Sequence, residues 1–183
     1  YAHFVARKDY RKTYDVYKDD TLLNRQPKKS RKIFVCLDEQ RGQYLVDGLV
    51  AMDFPLSSGV KAYPTKTGDY AVISKKEDHT SNLYGKMYDA EGKCINYNAE
   101  STDPIPEGGR FDGSPMPYWQ RLTNAGLGLH VGKVRRHPVS HGCVRLPRNV
   151  AEILYRQTSI GTPVTIRKTP LPVPEAQKVP AVQ

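Results

Sequence analysis

Ser140, His141, Gly142 and Cys143 stand in a row inside RRHPVSHGCVRLPRN (135–149), with Arg135, Arg136, Arg145 and Arg148 around them. A structural cysteine prefers apolar neighbours, and these are polar and cationic. Positive charge lowers a thiol's pKa and raises the thiolate fraction, which is the attacking form. The pattern therefore predicts a Cys143 that is more acidic than a free thiol. Gly142 lets a substrate backbone come close and exposes N–H groups beside the sulfur.

Three kinds of chemistry compete for this segment. His130, His137, His141 and Cys143 fall within fourteen residues and are all metal-ligand types, but their spacing matches no common zinc pattern. The second reading is structural, the histidines and the cysteine merely filling the fold. The third is nucleophilic catalysis, which needs a thiolate, a base for its proton and donors for an oxyanion. Cys143 supplies the nucleophile. His130 comes from a different strand and can face the thiol across a groove, so it is the better base candidate. His141 is left to support the oxyanion or to orient the imidazole. The backbone N–H groups of Gly142 and Cys143 are the expected oxyanion donors, and Arg145 the holder of a substrate carboxylate.

Around these residues the sequence predicts a mostly β domain. KIFVCLD (32–38), GQYLV (42–46) and LVAMDFP (49–55) read as strands, with Asp47-Gly48 a hairpin turn between the last two. A further strand is expected over 68–75, and GLGLHV delivers His130 near a strand end. Pro147 and NVAEILYRQ predict a helix to Gln157, and TPVTIRK a closing strand. Consecutive hairpins favour a mostly antiparallel sheet. Residues 1–31 read as a charged, tyrosine-rich lead-in, extended or partly helical. The polar stretch 76–110 reads as an excursion with a hairpin near 87–97, and long loops of this kind are often lids. The Pro-rich tail, 169–183, has no period and reads as a linker or disordered end.

Twenty-eight basic against nineteen acidic residues give a net charge of +9, a balance that favours anionic partners. No nucleic-acid recognition module is legible, so nucleic acid is not an expected partner. No stretch approaches the ~18 apolar residues of a membrane-spanning helix. Three cysteines cannot form a disulfide framework. Cys36 is expected to face inward from its strand, and a Cys36–Cys94 bridge is left open. The chain starts at Tyr1 without a methionine, which leaves export open.

GLGLHVGKVRRHPVSHGCVRLP resembles the signature of the L,D-transpeptidase (YkuD-like) catalytic domain: an upstream His-x-Gly, then Ser-His-Gly-Cys-hydrophobic-Arg. KIFVCLDEQRGQYLVDGLVAMDFPLSSGVKAYPTKTGDYAVISK resembles the family's N-terminal strands and turn, and PMPYWQRL the segment before its histidine strand. The likeness spans residues 32–168. It implies a mixed or antiparallel, sandwich-like β fold with one or two short helices, no cofactor and no metal, and a periplasmic or envelope location. It implies that Cys143 attacks the bond between the third and fourth residues of a peptidoglycan stem, releasing D-alanine and leaving a thioester that an amine resolves. The amine belongs to a neighbouring stem, giving a 3-3 cross-link, or to an anchored envelope protein. Water in its place makes the enzyme an L,D-carboxypeptidase; a non-catalytic wall-binding module is the rival from another class. By the same resemblance the catalytic residues are Cys143, His130, His141 and Gly142, and the substrate-binding residues Arg145, Ser140, Tyr118 and Trp119. Two departures stand out: Lys66 replaces the usual proline in TKTG, and 76–110 is longer than a minimal domain needs.

Overall fold

The computed structural model describes residues 1–27 and 30–178; the end of the expected tail, 179–183, lies outside the described residues. The lead-in forms α1 (Ala2–Val5), β1 (Tyr17–Lys18) and α2 (Asp20–Asn24). Three apolar-rich segments then pair as consecutive antiparallel strands, β2 (Arg31–Cys36), β3 (Arg41–Val46) and β4 (Leu49–Pro55). The Asp47-Gly48 turn between the last two has φ of 52° and 80°, the left-handed pair that a tight hairpin demands.

The strand expected over 68–75 is two strands. β5 (Gly68–Ala71) and β6 (Ser74–Lys76) belong to different sheets, and the chain crosses between them at buried Val72. The excursion after them is more ordered than a loop with one hairpin. It builds a three-stranded antiparallel sheet from β7 (Thr80–Tyr88), β8 (Cys94–Glu100) and β9 (Arg110–Pro115), with β7 in the middle. Weak alternation hid it because few of its side chains are buried, Met87 and Ala99 among them, and most of the rest are exposed or half-exposed.

β10 (Trp119–Arg121), β11 (Gly128–Val131) and β12 (Val144–Leu146) follow, then α3 (Arg148–Gln157) and β13 (Pro163–Arg167). Pro147 sits at the N-cap of α3, where a missing N–H costs nothing. One sheet runs β1-β4-β3-β2-β13-β5 and a second β12-β11-β10-β6. Pairings are mostly antiparallel, with β13–β2 and β11–β12 parallel. Ile33, Tyr44, Phe54, Leu129, Val144 and Leu154 share one core made by the inner faces of both sheets and one side of α3. Cys36 is fully buried, and all three cysteines are free thiols, so the Cys36–Cys94 bridge does not form.

The lead-in is bound into this body. Arg41 and Asp53, on adjacent strands and both fully buried, pair at 2.6 Å. Asp53 also accepts from the Tyr1 and Tyr10 hydroxyls at 2.7 and 2.8 Å. Burial beside that carboxylate raises both phenol pKa values, so each stays a proton donor. Arg41 donates to the carbonyls of Thr13 and Asp15. The tail packs too: Gln177 bonds both backbone groups of Val50, and Gln43 donates to Pro172. Removing one member of a buried pair leaves the other charge uncompensated. Asp53→Ala should therefore lower unfolding free energy by about 3–5 kcal/mol in urea titration; a loss under about 1 kcal/mol would place this cluster among surface-type pairs.

Candidate active site

Strand register builds the site. Arg121 of β10 lies opposite Gly128 of β11, and Leu129 of β11 opposite Val144 of β12. Continued by one residue, that register sets Cys143 beside Gly128. Side chains alternate faces along a strand, so two rows share one face: Cys143–Gly128–Arg121, and next to it Arg145–His130–Trp119. The row between them, Val144–Leu129–Gln120, points into the core and is buried. Cys143, just before β12, and His130 of β11 are diagonal neighbours in this register. All five side chains of the two rows line one cleft of about 660 Å³, whose lining holds Lys66, Arg121, Lys133 and Arg145 and no carboxylate.

His130 is buried, and its Nδ1 lies 2.8 Å from the Val131 carbonyl. That bond places the proton on Nδ1 and leaves Nε2 as the basic nitrogen. Burial, with a smaller push from Arg145 and His79, drives its pKa down to about 4. The imidazole is neutral at neutral pH. The Cys143 thiol donates to the Gly126 carbonyl at 3.3 Å. Burial raises its pKa, and the opposing effects of a Gly128 hydrogen bond, Arg145 and Arg121 are smaller. The expected acidic thiol is thus corrected: the arginines act in the predicted direction, but desolvation of the thiolate outweighs them. The resting pair is thiol and imidazole, not thiolate and imidazolium.

The Ser-His-Gly-Cys segment is shaped by backbone and hydroxyls. Ser140 Oγ donates to the Cys143 carbonyl (2.5 Å) and receives the Gly142 N–H (3.2 Å). The Gly142 N–H, expected as an oxyanion donor, is therefore engaged by Ser140, leaving the Cys143 N–H as the available backbone donor. Gly142 has φ of 110°, closed to most side chains. Its carbonyl accepts from Thr65 Oγ1 at 2.6 Å, and Thr65 in turn accepts the Gly59 N–H at 2.8 Å. A Cβ on Gly59 would stand 2.1 Å from the Tyr63 carbonyl and 2.8 Å from Gly142 Cα, so this approach needs glycine. Ser57 exchanges two backbone bonds with Arg145, holding the outer edge of β12.

The remaining predicted residues divide. Half-buried Arg145 lines the cleft with its stem against Gly132, where a Cβ would lie 2.7 Å from Cγ; this is the packing reason for His-x-Gly. Trp119 lies over Gly128, its ring edge 2.4 Å from where a Cβ would be. Tyr118 is not in the cleft; its ring meets Tyr155 of α3 edge-on at 5.6 Å. His141 is exposed and stacks on Tyr84 of β7 at 4.4 Å, beside Tyr63 at 4.8 Å, so its contacts run to the three-stranded sheet rather than to the imidazole of His130. His137 is exposed. Among the described residues no three His, Cys, Asp or Glu side chains converge as a metal site would need. Sequence reading missed Gly59, Thr65, Arg121 and Tyr84. Only Thr65 had a signal, its place in the Pro-Thr-Lys-Thr-Gly turn.

The protonation states have a direct readout. Thiolate grows as pH rises through a raised pKa, so iodoacetamide labelling of Cys143, followed by peptide mass, should be slow at neutral pH and climb steadily on the alkaline side. A plateau at neutral pH, as an ion pair would give, would overturn the neutral resting pair.

Comparison with known proteins places this arrangement. Residues 30–166 match the L,D-transpeptidase catalytic domain, YkuD. Probable L,D-transpeptidase 3 of Mycobacterium tuberculosis is 31% identical over 121 residues, which covers 62% of this chain and 38% of that protein. An L,D-transpeptidase structure from Mycobacterium smegmatis matches with a TM-score of 0.58 at 22% identity, over 75% of this chain and 58% of that one. A mutant of the Enterococcus faecium L,D-transpeptidase matches with a TM-score of 0.55 at 27% identity, over 76% and 50%. The chain thus spans less than two thirds of each of these relatives. With the family match running through both sheets, α3, His130 and Cys143, the chain belongs to the YkuD family of L,D-transpeptidase catalytic domains.

Proposed function

We propose that this domain is a cysteine acyl-transferase acting on peptidoglycan tetrapeptide stems. The observation that carries the reading is the diagonal pairing of Cys143 with His130 on the floor of a cationic cleft. Nε2 of His130 takes the thiol proton as sulfur attacks the carbonyl of the third stem residue. The Cys143 N–H supports the oxyanion. On collapse the carbon–nitrogen bond breaks, and the leaving D-alanine amine receives the proton from His130. A thioester and free D-alanine result. An acceptor amine then attacks the thioester, gives its proton to His130, and the thiol leaves with that proton restored. Forming the reactive thiolate only as substrate arrives suits two neutral groups in a desolvated site, because no charge is buried at rest.

Arg145 is the holder of the terminal D-alanine carboxylate, two residues along the same strand and face from Cys143. Trp119 and Ser140 act on substrate through the cleft floor and the loop that carries the thiol. With stems as donor and acceptor the product is a 3-3 cross-link; an anchored envelope protein as acceptor, or water, uses the same thioester. The place of action is the cell envelope, where this polymer lies.

Incubation with a purified disaccharide-tetrapeptide should add the mass of the tripeptide stem to the wild type and nothing to Cys143→Ala, with free D-alanine in the medium. Release of D-alanine by Cys143→Ala would overturn the mechanism.

The three-stranded sheet forms one wall of the cleft, with Leu83, Tyr84, Tyr97 and Asn98 in the lining. Its entry and exit meet where Met116 N–H bonds the His79 carbonyl at 2.7 Å. Replacing 80–115 by a short turn should therefore leave the two-sheet body closed. We expect thioester formation to survive the replacement and the ratio of cross-link to hydrolysis to change severalfold; an unchanged ratio would remove this sheet from acceptor choice.

A further inference from the structure

The cleft holds a cation that the mechanism above does not use. Arg121 sits at the end of the row that begins with Cys143, separated from it by Gly128, which has no side chain. Two strand spacings put its Cα roughly 10 Å from that of Cys143, within an arginine's reach of a ligand bound at the sulfur. Its guanidinium lies 5.8 Å from the centre of the Trp119 ring. Among the described residues neither Arg121 nor Arg145 has a carboxylate within ion-pair distance. Trp119 adds a buried Nε1–H that has no hydrogen-bond partner among the described residues. The two lysines of the lining lie on connecting segments, outside these rows.

Two unpaired guanidiniums at different distances from one nucleophile measure out a ligand. In a stem lying across Cys143, the carboxylate of the leaving residue is roughly 3.5 Å from the scissile carbon, since only the amide nitrogen and one Cα intervene. That is the near position, served by Arg145. A carboxylate at the far end of the third residue's side chain stands roughly 7 Å from the same carbon when the side chain is extended. That is the far position, and its reach matches the two-strand separation of Arg121 from Cys143.

We propose that Arg121 is a second carboxylate-binding residue and selects donors whose third residue is a 2,6-diamino diacid with its side-chain carboxylate free, over lysine or an amidated form. This rests on the reading that the cleft takes a peptide stem. Arg121 takes no part in bond making; it sets which side chain is retained while the scissile carbonyl waits at the sulfur.

Equilibrium binding to Cys143→Ala tests it without acylation, using two disaccharide-tetrapeptides that differ only in whether the third residue's side-chain carboxylate is free or amidated. The free form should bind about tenfold tighter, as a charge-assisted hydrogen bond at a half-buried site would give. Adding Arg121→Gln should abolish that difference by weakening the free form alone, and Arg121→Lys should keep part of it. Arg145→Gln should weaken both forms alike. Equal binding of the two forms to Cys143→Ala, or a preference that survives Arg121→Gln, would overturn the proposal. Acylation of the wild type is read separately by mass. Selective binding with no thioester supports the role of Arg121 and overturns the transferase reading; a thioester with no selectivity does the reverse.

Discussion

The parallel pairing of β11 with β12 is the constraint on which the site depends. Its register, Leu129 against Val144, puts two apolar residues into the core and thereby turns Cys143, His130 and Arg145 toward the cleft. A slip of one residue would bury the charged and reactive side chains and expose the apolar ones. Short strands rarely hold a register alone, and this one is clamped from outside: Ser57 bonds the free edge of β12, while Ser58 and Val60 bond the turn before it. Gly59 lets that clamp come within contact of Gly142. The Ser-His-Gly-Cys segment is thus the inner half of a two-part structure whose outer half lies some eighty residues earlier in the chain.

Two forces act on the thiol, and their balance decides its resting state. Arginines nearby favour thiolate, burial disfavours it, and burial wins. The same burial removes the imidazole's tendency to protonate. A neutral pair costs little to bury, whereas an ion pair must repay the desolvation of two charges. The guanidiniums of Arg121 and Arg145 therefore do more for the potential of the cleft than for the acidity of the sulfur, and an anionic ligand meets a floor with no carboxylate to compete with it.

Among the described residues, the lead-in meets the loop before Cys143 at the Thr13 carbonyl. Thr13 accepts from Arg41 and also from Arg136, which lies on the loop between His130 and Cys143 and further donates to Glu39. Arg136 adopts φ of 56°, a conformation that such bonds stabilise. The buried Arg41–Asp53 pair, the Tyr1 and Tyr10 hydroxyls and the loop that leads to Cys143 thus belong to one polar network. Burying so many polar groups is tolerable because most have partners in place; among the described residues Arg136 Nε is an exception, buried without one.

Local signals determined much of this protein. Apolar runs and Asp47-Gly48 set β2 to β4, Pro147 and the apolar stripe of NVAEILYRQ set α3, and the Ser-His-Gly-Cys run with an upstream His-x-Gly marked Cys143 and His130. These are properties of neighbouring residues, and a sequence shows neighbours. Tertiary structure alone decided the rest. It split 68–75 between two sheets, since the crossing at Val72 answers to packing and not to alternation. It turned Tyr118 toward α3 and Trp119 toward the cleft, and carried His141 to Tyr84. It also reversed the expected shift of Cys143, because the nearness of arginines can be counted along a chain, whereas the loss of water around a sulfur depends on every element that closes over it.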